Sequence, residues 1–217
     1  MGQPKQLLQL GGRPVAAWSL ATLGSAACVT DIVIACDPDD VRAFEDLARE
    51  YAPRKVKAVV HGGERRQDSV FAALRVTADT TNVVVVHDGA RPFLRADVLQ
   101  EVIEEAHKSG AAVAAVPVKD TIKEVNEHGA ILRTIPRDRL WAAQTPQAFS
   151  RSILLQAHEL AEGAGFVGTD DAELVERFGG VTPTIVPSSY ENLKITTPDD
   201  ILIAEKILTA RPNGSAP

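Results

Sequence analysis

Two hydrophobic periods alternate along this chain. Val83–Val86 is an unbroken run of β-branched residues, the pattern of a strand covered on both faces. Residues 31–36 (DIVIAC), residues 56–60 and Ala111–Pro117 (AAVAAVP) read the same way. Between these runs lie segments with helical spacing. Residues 14–25 carry proline in the first turn, and residues 39–51 follow the next strand. Residues 67–77 set Val70, Phe71 and Leu74 on one face. Ala96–Ser109 does the same with Val98, Leu99, Val102, Ile103 and Ala106. This order predicts an α/β fold, a doubly wound and mostly parallel sheet.

The alternation breaks at residues 121–135, TIKEVNEHGAILRTI. Two short alternating strands flank Asn126-Glu127-His128-Gly129, a hairpin turn. A hairpin inserted into an α/β domain has little core of its own, so it is expected to project as an arm and pack on a partner subunit. Helices are then predicted near residues 151–163 and 170–178, strands near 184–187 and 193–196, and a last helix over 198–210. Residues 211–217 read as a frayed tail. The expectation is a single domain over residues 1–217, with a β-arm at about 119–140 inserted in it.

Composition narrows the functional classes. The chain has 217 residues, of which 45% are hydrophobic and 24% charged, with a net charge of −6. That balance excludes a nucleic-acid footprint, although a few lysines and arginines can still make one cleft positive. Cys28 and Cys36 lack metal-site spacing, and Cys36 falls in an apolar run as a buried thiol would. No apolar run is long enough to span a membrane and no signal peptide opens the sequence, so no membrane partner and a cytoplasmic location are expected. The five histidines (61, 87, 107, 128 and 158) are scattered, with no HExxH and no Ser-His-Asp order. His107 and His158 lie in helical segments and read as surface residues.

The candidate chemistry clusters where predicted strands end. Val83–Val86 runs into His87-Asp88-Gly89-Ala90-Arg91-Pro92. Open α/β sheets bind ligands at that carboxyl edge. Asp88 can serve a metal ion and Arg91 can hold a phosphate bidentately; the alternative is a loop with a surface ion pair. Lys5 precedes a helix, as either a phosphate contact or a solvated lysine. Gly62-Gly63-Glu64-Arg65-Arg66-Gln67-Asp68-Ser69 follows a strand and opens a helix, which suits close backbone approach to an anion. Ser69 there can cap the helix or donate to a ligand. Lys119-Asp120-Thr121 follows another strand, with Thr121 either a substrate contact or part of a turn. Arg137, Thr145 and Lys194 each read singly as surface residues. Alternation would point Asn192, Lys194 and Thr196 to one face. Cations, small hydroxyls and one acid on sheet-edge loops suit phosphoryl-type transfer, which needs no covalent protein chemistry.

Taken together, PKQ (4–6), GGERRQDSV (62–70), VHDGARPF (86–93), VPVKDTIK (116–123), LWAAQTPQAF (140–149), GTDDA (168–172) and NLKITTPDD (192–200) resemble the 2-C-methyl-D-erythritol 4-phosphate cytidylyltransferase family of the non-mevalonate isoprenoid pathway. The resemblance implies a Rossmann-like nucleotidyltransferase that transfers CMP from CTP to the polyol phosphate and releases pyrophosphate, with Mg²⁺ near the CTP phosphates. Lys5, Arg137 and Lys194 match the family's catalytic cations. Gly63, Glu64, Ser69 and Asp88 match its CTP contacts, with Glu64 where many members have aspartate. Asp88, Arg91, Thr121, Arg137, Thr145 and Lys194 match its substrate contacts, and Asp88 its residue near the metal. Arg137 would act from the arm of a partner, making the enzyme a homodimer. A ribitol 5-phosphate cytidylyltransferase shares these features, and a non-catalytic nucleotide-sensing dimer is the rival of another class. The family pattern also places a strand and an AAGxGxRM loop ahead of PKQ. Their absence before Met1-Gly2 implies a start upstream of this Met, and weak CTP binding by the sequence as it stands. It also implies a sheet open between residues 31–36 and 83–87 by roughly 10 Å, two strand spacings.

Overall fold

The structure is a computed structural model that describes residues 4–210. Met1-Gly2 and the tail at 211–217 lie outside the described residues. Lys5–Leu7 forms a single 3₁₀ turn. A two-residue hairpin follows, β1 (Gln9–Leu10) against β2 (Arg13–Pro14). Its turn uses Gly11 and Gly12 at φ 59° and 83°, which side chains rarely adopt. Helix α1 (Val15–Ser25) begins directly after Pro14.

The alternating segments fold in the order predicted. They are β3 (Ile32–Cys36), α2 (Val41–Tyr51), β4 (Val56–His61), α3 (Arg66–Arg75), β5 (Val83–Val86), α4 (Ala96–Ser109) and β6 (Ala111–Pro117). The arm is β7 (Ile122–Val125) paired antiparallel with β8 (Ile131–Ile135). Its strands are exposed along nearly their whole length, so the arm has no core of its own. The chain returns through β9 (Trp141–Ser150), α5 (Arg151–Gly163), α6 (Asp171–Phe178), β10 (Thr184–Pro187) and α7 (Pro198–Ala210).

The main sheet has the order β10-β6-β9-β5. β10 is parallel to β6, whereas β9 runs antiparallel to both β6 and β5. The sheet is mostly parallel as expected, since β5, β6 and β10 share one direction, with a single reversed strand, β9, inside it. β9 escapes sequence reading because Gln144, Thr145, Pro146 and Gln147 interrupt its apolar pattern, and proline argues against an internal strand. The structure accommodates Pro146 where the β6–β9 register shifts, after a cis Thr145–Pro146 bond. Residues 193–196, expected as a strand, are a loop instead, pinned by the amide of Ile195 donating to the Ala90 carbonyl at 2.8 Å.

Both faces of the main sheet are covered, which explains why β6 reads as continuously apolar. Ala111 and Val113 pack with Phe71, Leu74, Leu154 and Val175 from α3, α5 and α6. Ala112 and Ala114 turn the other way, onto Val98, Val102 and Ala106 of α4. A separate cluster joins α1 and α2 to a second sheet made of β3 and β4, a parallel pair. Among the described residues no strand bridges β3 to β5, so the sheet is open where the family pattern implied.

Candidate active site

The strand β5 ends at Val86, and the loop that begins at His87 is fixed from beneath. The Thr145 hydroxyl accepts the Asp88 amide at 3.0 Å and lies 3.1 Å from His87 Nδ1. His87 Nε2 lies 3.2 Å from the Arg91 carbonyl. These contacts define one protonation pattern: Nε2–H donates to the carbonyl, and Nδ1 accepts from threonine. Burial opposes a charged imidazole, and the His87 pKa falls to about 4. Thr145 is only 3% exposed and its single proton is committed to His87. Thr145 thus shapes the loop that carries Asp88.

Asp88 is the centre of the site. Its Oδ2 accepts from Lys194 Nζ at 2.8 Å and lies 3.9 Å from Arg91 Nε. Its Oδ1 accepts from Arg66 Nε at 2.9 Å. Burial raises its pKa, but the charge of Arg66 and the hydrogen bond and charge of Lys194 outweigh this and hold it at about 2. Arg91 also donates to the Asn192 carbonyl at 2.7 Å, which ties the β5 loop to the segment carrying Lys194. Asn192 is itself held by its side-chain amide on Gln144 and on the Thr145 carbonyl. Asp200 at the start of α7 accepts from the amides of Thr196 and Thr197, closing the loop on its other side.

Arg66 is the residue that sequence reading passed over. Its Nη1 donates to Asp171 Oδ2 at 2.7 Å, and Asp171 is 1% exposed. The other oxygen of Asp171 lies 3.2 Å from Nε2 of His158, which stacks on Phe71 at 5.2 Å. The surface position expected for His158 is corrected: it is 1% exposed. Its burial was readable: Leu154, Ala157, His158 and Ala161 follow the helical period and are all buried.

The glycine turn stands beside this cluster. A Cβ on Gly63 would lie 2.3 Å from Asp68 Cβ, and one on Gly62 2.7 Å from Ser69 Oγ, so both positions exclude a side chain. Ser69 is no N-cap. It accepts the Gly63 amide at 3.1 Å and donates to the Arg65 carbonyl, holding the turn closed, while Asp68 caps α3 by accepting the Arg65 amide. Glu64 is exposed at the tip. The Lys5 segment meets the same region, since a Cβ on Gly89 would touch Gln6 at 3.5 Å. Lys5 is exposed and borders an apolar cavity of about 330 Å³ that Leu8, Ile195, Pro198 and Ile201 also line.

Two expected residues stand apart. Thr121 is exposed at the entry to the arm, and Arg137 is exposed at its exit, donating to the Lys119 carbonyl. The structure gathers Asp88, Arg91 and Lys194 at the sheet edge and leaves these two in the arm. Asp88 is already paired with cations on both oxygens, and no group of three His, Cys, Asp or Glu side chains is placed to hold a metal among the described residues.

A family model described as IspD, 2-C-methyl-D-erythritol 4-phosphate cytidylyltransferase, matches residues 1–210. The chain belongs to that family. The cytidylyltransferase of Halalkalibacterium halodurans is 45% identical over 210 residues, which is 97% of this chain and 91% of that protein. That of Shouchella clausii is 46% identical over 212 residues, 98% of this chain and 91% of the other. The fold agrees. The crystal structure of 4-diphosphocytidyl-2C-methyl-D-erythritol synthase from Anaerococcus prevotii aligns with a TM-score of 0.86 at 30% identity, over 93% of this chain and 88% of that one. The cytidylyltransferase structure from Thermus thermophilus aligns with a TM-score of 0.81 at 34% identity, covering 95% of each chain. This cytidylyltransferase fold therefore puts Asp88, Arg91, Lys194 and the Gly62-Gly63 turn at neighbouring sheet-edge loops.

Proposed function

We propose that this chain transfers the cytidylyl group of CTP to 2-C-methyl-D-erythritol 4-phosphate. The observation that carries this reading is the charge at the sheet edge. Arg66, Arg91 and Lys194 surround Asp88, and Arg66 reaches on to a second carboxylate, Asp171. Three cations against two carboxylates leave the cluster positive, which suits phosphate groups. The Gly62-Gly63 turn, free of side chains and leading to the N-terminus of α3, supports nucleotide binding.

The chemistry is an in-line displacement. An oxygen of the substrate phosphate forms a bond to the α-phosphorus of CTP. The bond to the bridging oxygen breaks, and pyrophosphate leaves with that electron pair. Lys194 stabilises the negative charge of the substrate phosphate, and the exposed ammonium of Lys5 serves the transferring phosphate. A magnesium ion brought with CTP would neutralise charge on the triphosphate, and Asp88 is the site carboxylate that would stand near it. Arg137 and Thr121 reach the substrate from the arm of a second copy, so the working unit is a homodimer, with the cytoplasm as its compartment.

The test is pyrophosphate release from CTP and Mg²⁺ with either 2-C-methyl-D-erythritol 4-phosphate or ribitol 5-phosphate. Release with the methylerythritol substrate and little with ribitol 5-phosphate is expected. Equal or better use of ribitol 5-phosphate, or no release with either, would overturn the assignment.

A further inference from the structure

Lys194 is anchored by a chain of contacts that ends deep in the core. Lys194 Nζ sits 2.8 Å from Asp88 Oδ2. Asp88 Oδ1 takes Arg66 Nε, and Arg66 Nη1 takes Asp171 Oδ2. Asp171 Oδ1 meets His158, which is stacked against Phe71. One guanidinium thus bridges two carboxylates with two different nitrogens, which a single ammonium cannot reproduce in the same geometry. Burying such a chain is costly for stability, since apolar residues of similar size often serve as well. The carboxylate that Arg66 holds at one end is the one that faces Lys194.

We propose that Arg66 is a positioning residue for the transfer reaction: fixed in the core through Asp171 and His158, it orients Asp88 so that Asp88 presents the Lys194 ammonium to the substrate phosphate. This rests on the cytidylyl-transfer reading above. Arg66 also shares the charge of Asp88. Without it, Asp88 would keep only Lys194 and the more distant Arg91 as cationic partners, drawing the Lys194 ammonium away from an incoming phosphate. Removing only Arg66 would strand the buried Asp171 carboxylate, so the informative variant removes both charges. Arg66→Met with Asp171→Asn keeps an acceptor for His158 and leaves no unpaired buried ion.

The experiment compares the unsubstituted chain, Arg66→Met/Asp171→Asn, Lys194→Ala and the triple variant by steady-state kinetics, with thermal unfolding on each. The Arg66→Met/Asp171→Asn variant should raise KM for the polyol phosphate, or lower kcat/KM for it, by about tenfold, while KM for CTP stays within about twofold. In the Lys194→Ala background the same pair of changes should add almost nothing, because the effect runs through Lys194. Arg66→Lys should not restore the kinetics. Additive losses, an equal rise in both KM values, or full rescue by lysine would overturn the proposal. Absence of pyrophosphate release from the unsubstituted chain would instead overturn the parent reading, and this positioning role with it.

Discussion

His87 shows how one side chain links the site to the stability of the fold. It is held neutral, with Nδ1 accepting from Thr145 and Nε2 donating to Arg91, and burial holds its pKa near 4. An unfolded histidine titrates near 6.5. Between those values the unfolded chain binds a proton that the folded chain does not. Stability therefore stays intact above about pH 6.5 and falls as pH drops towards about 4, beyond which the contribution is spent. Urea midpoints measured from pH 7.5 to 4 should decline over that window, and a His87→Gln variant should flatten this part of the decline. An unchanged slope in that variant would show that His87 is not the group responsible. Asp88 contributes in a lower window: its depressed pKa means that its share persists down to about pH 4 and is lost towards about 2.

At the scale of elements, the β4–α3 junction has the least room for change. Gly63 abuts Asp68, whose carboxylate caps α3, and Ser69 closes the turn on the Gly63 amide. A methyl group at Gly63 would sit 2.3 Å from Asp68 Cβ, so either the turn or the first turn of the helix must move. Gly63→Ala should cost about 1–3 kcal/mol of stability and raise KM for CTP more than KM for the polyol phosphate. The two KM values, read beside a denaturation curve, check this; an unshifted KM for CTP would remove the turn from the nucleotide site. The same helix start positions Arg66, so a shifted turn should also be felt at Asp88.

For the whole molecule, the question is the arm. β7 and β8 extend from the sheet with Val125, Ile131 and Leu132 exposed, and Arg137 stands at their base. Apolar residues along a projecting hairpin suit burial against a second copy. A homodimer with a shared site makes a specific demand. Lys5→Ala and Arg137→Ala chains, each nearly inactive alone, should recover about a quarter of the activity when co-refolded, because half of the dimers are mixed and each mixed dimer rebuilds one intact site. Co-refolded activity no higher than the mean of the two parents would place both residues in one chain's site.

Much of the site was legible in the sequence because strand ends and glycine turns are local signals. The Val83–Val86 run foretold the position of Asp88 and Arg91, and the Gly62-Gly63 pair foretold the turn that opens α3. Helix and strand periods foretold α1 to α7 and the arm for the same reason: they are set by neighbours three, four or two positions away. The rest depended on contacts between residues far apart in the chain. The strand β9 is defined by its partners β5 and β6 rather than by its own broken pattern. The loop carrying Lys194 is extended without being a strand, since Ala90, Arg91 and Asp200 hold it in place of a ladder. Arg66 and Asp171 are 105 positions apart, and only packing α3 against α5 and α6 joins them. Sequence thus determined which local elements form and where their reactive ends lie; the tertiary structure decided which charges meet, because ion pairing depends on distance in space and on burial, and neither is written in the order of residues.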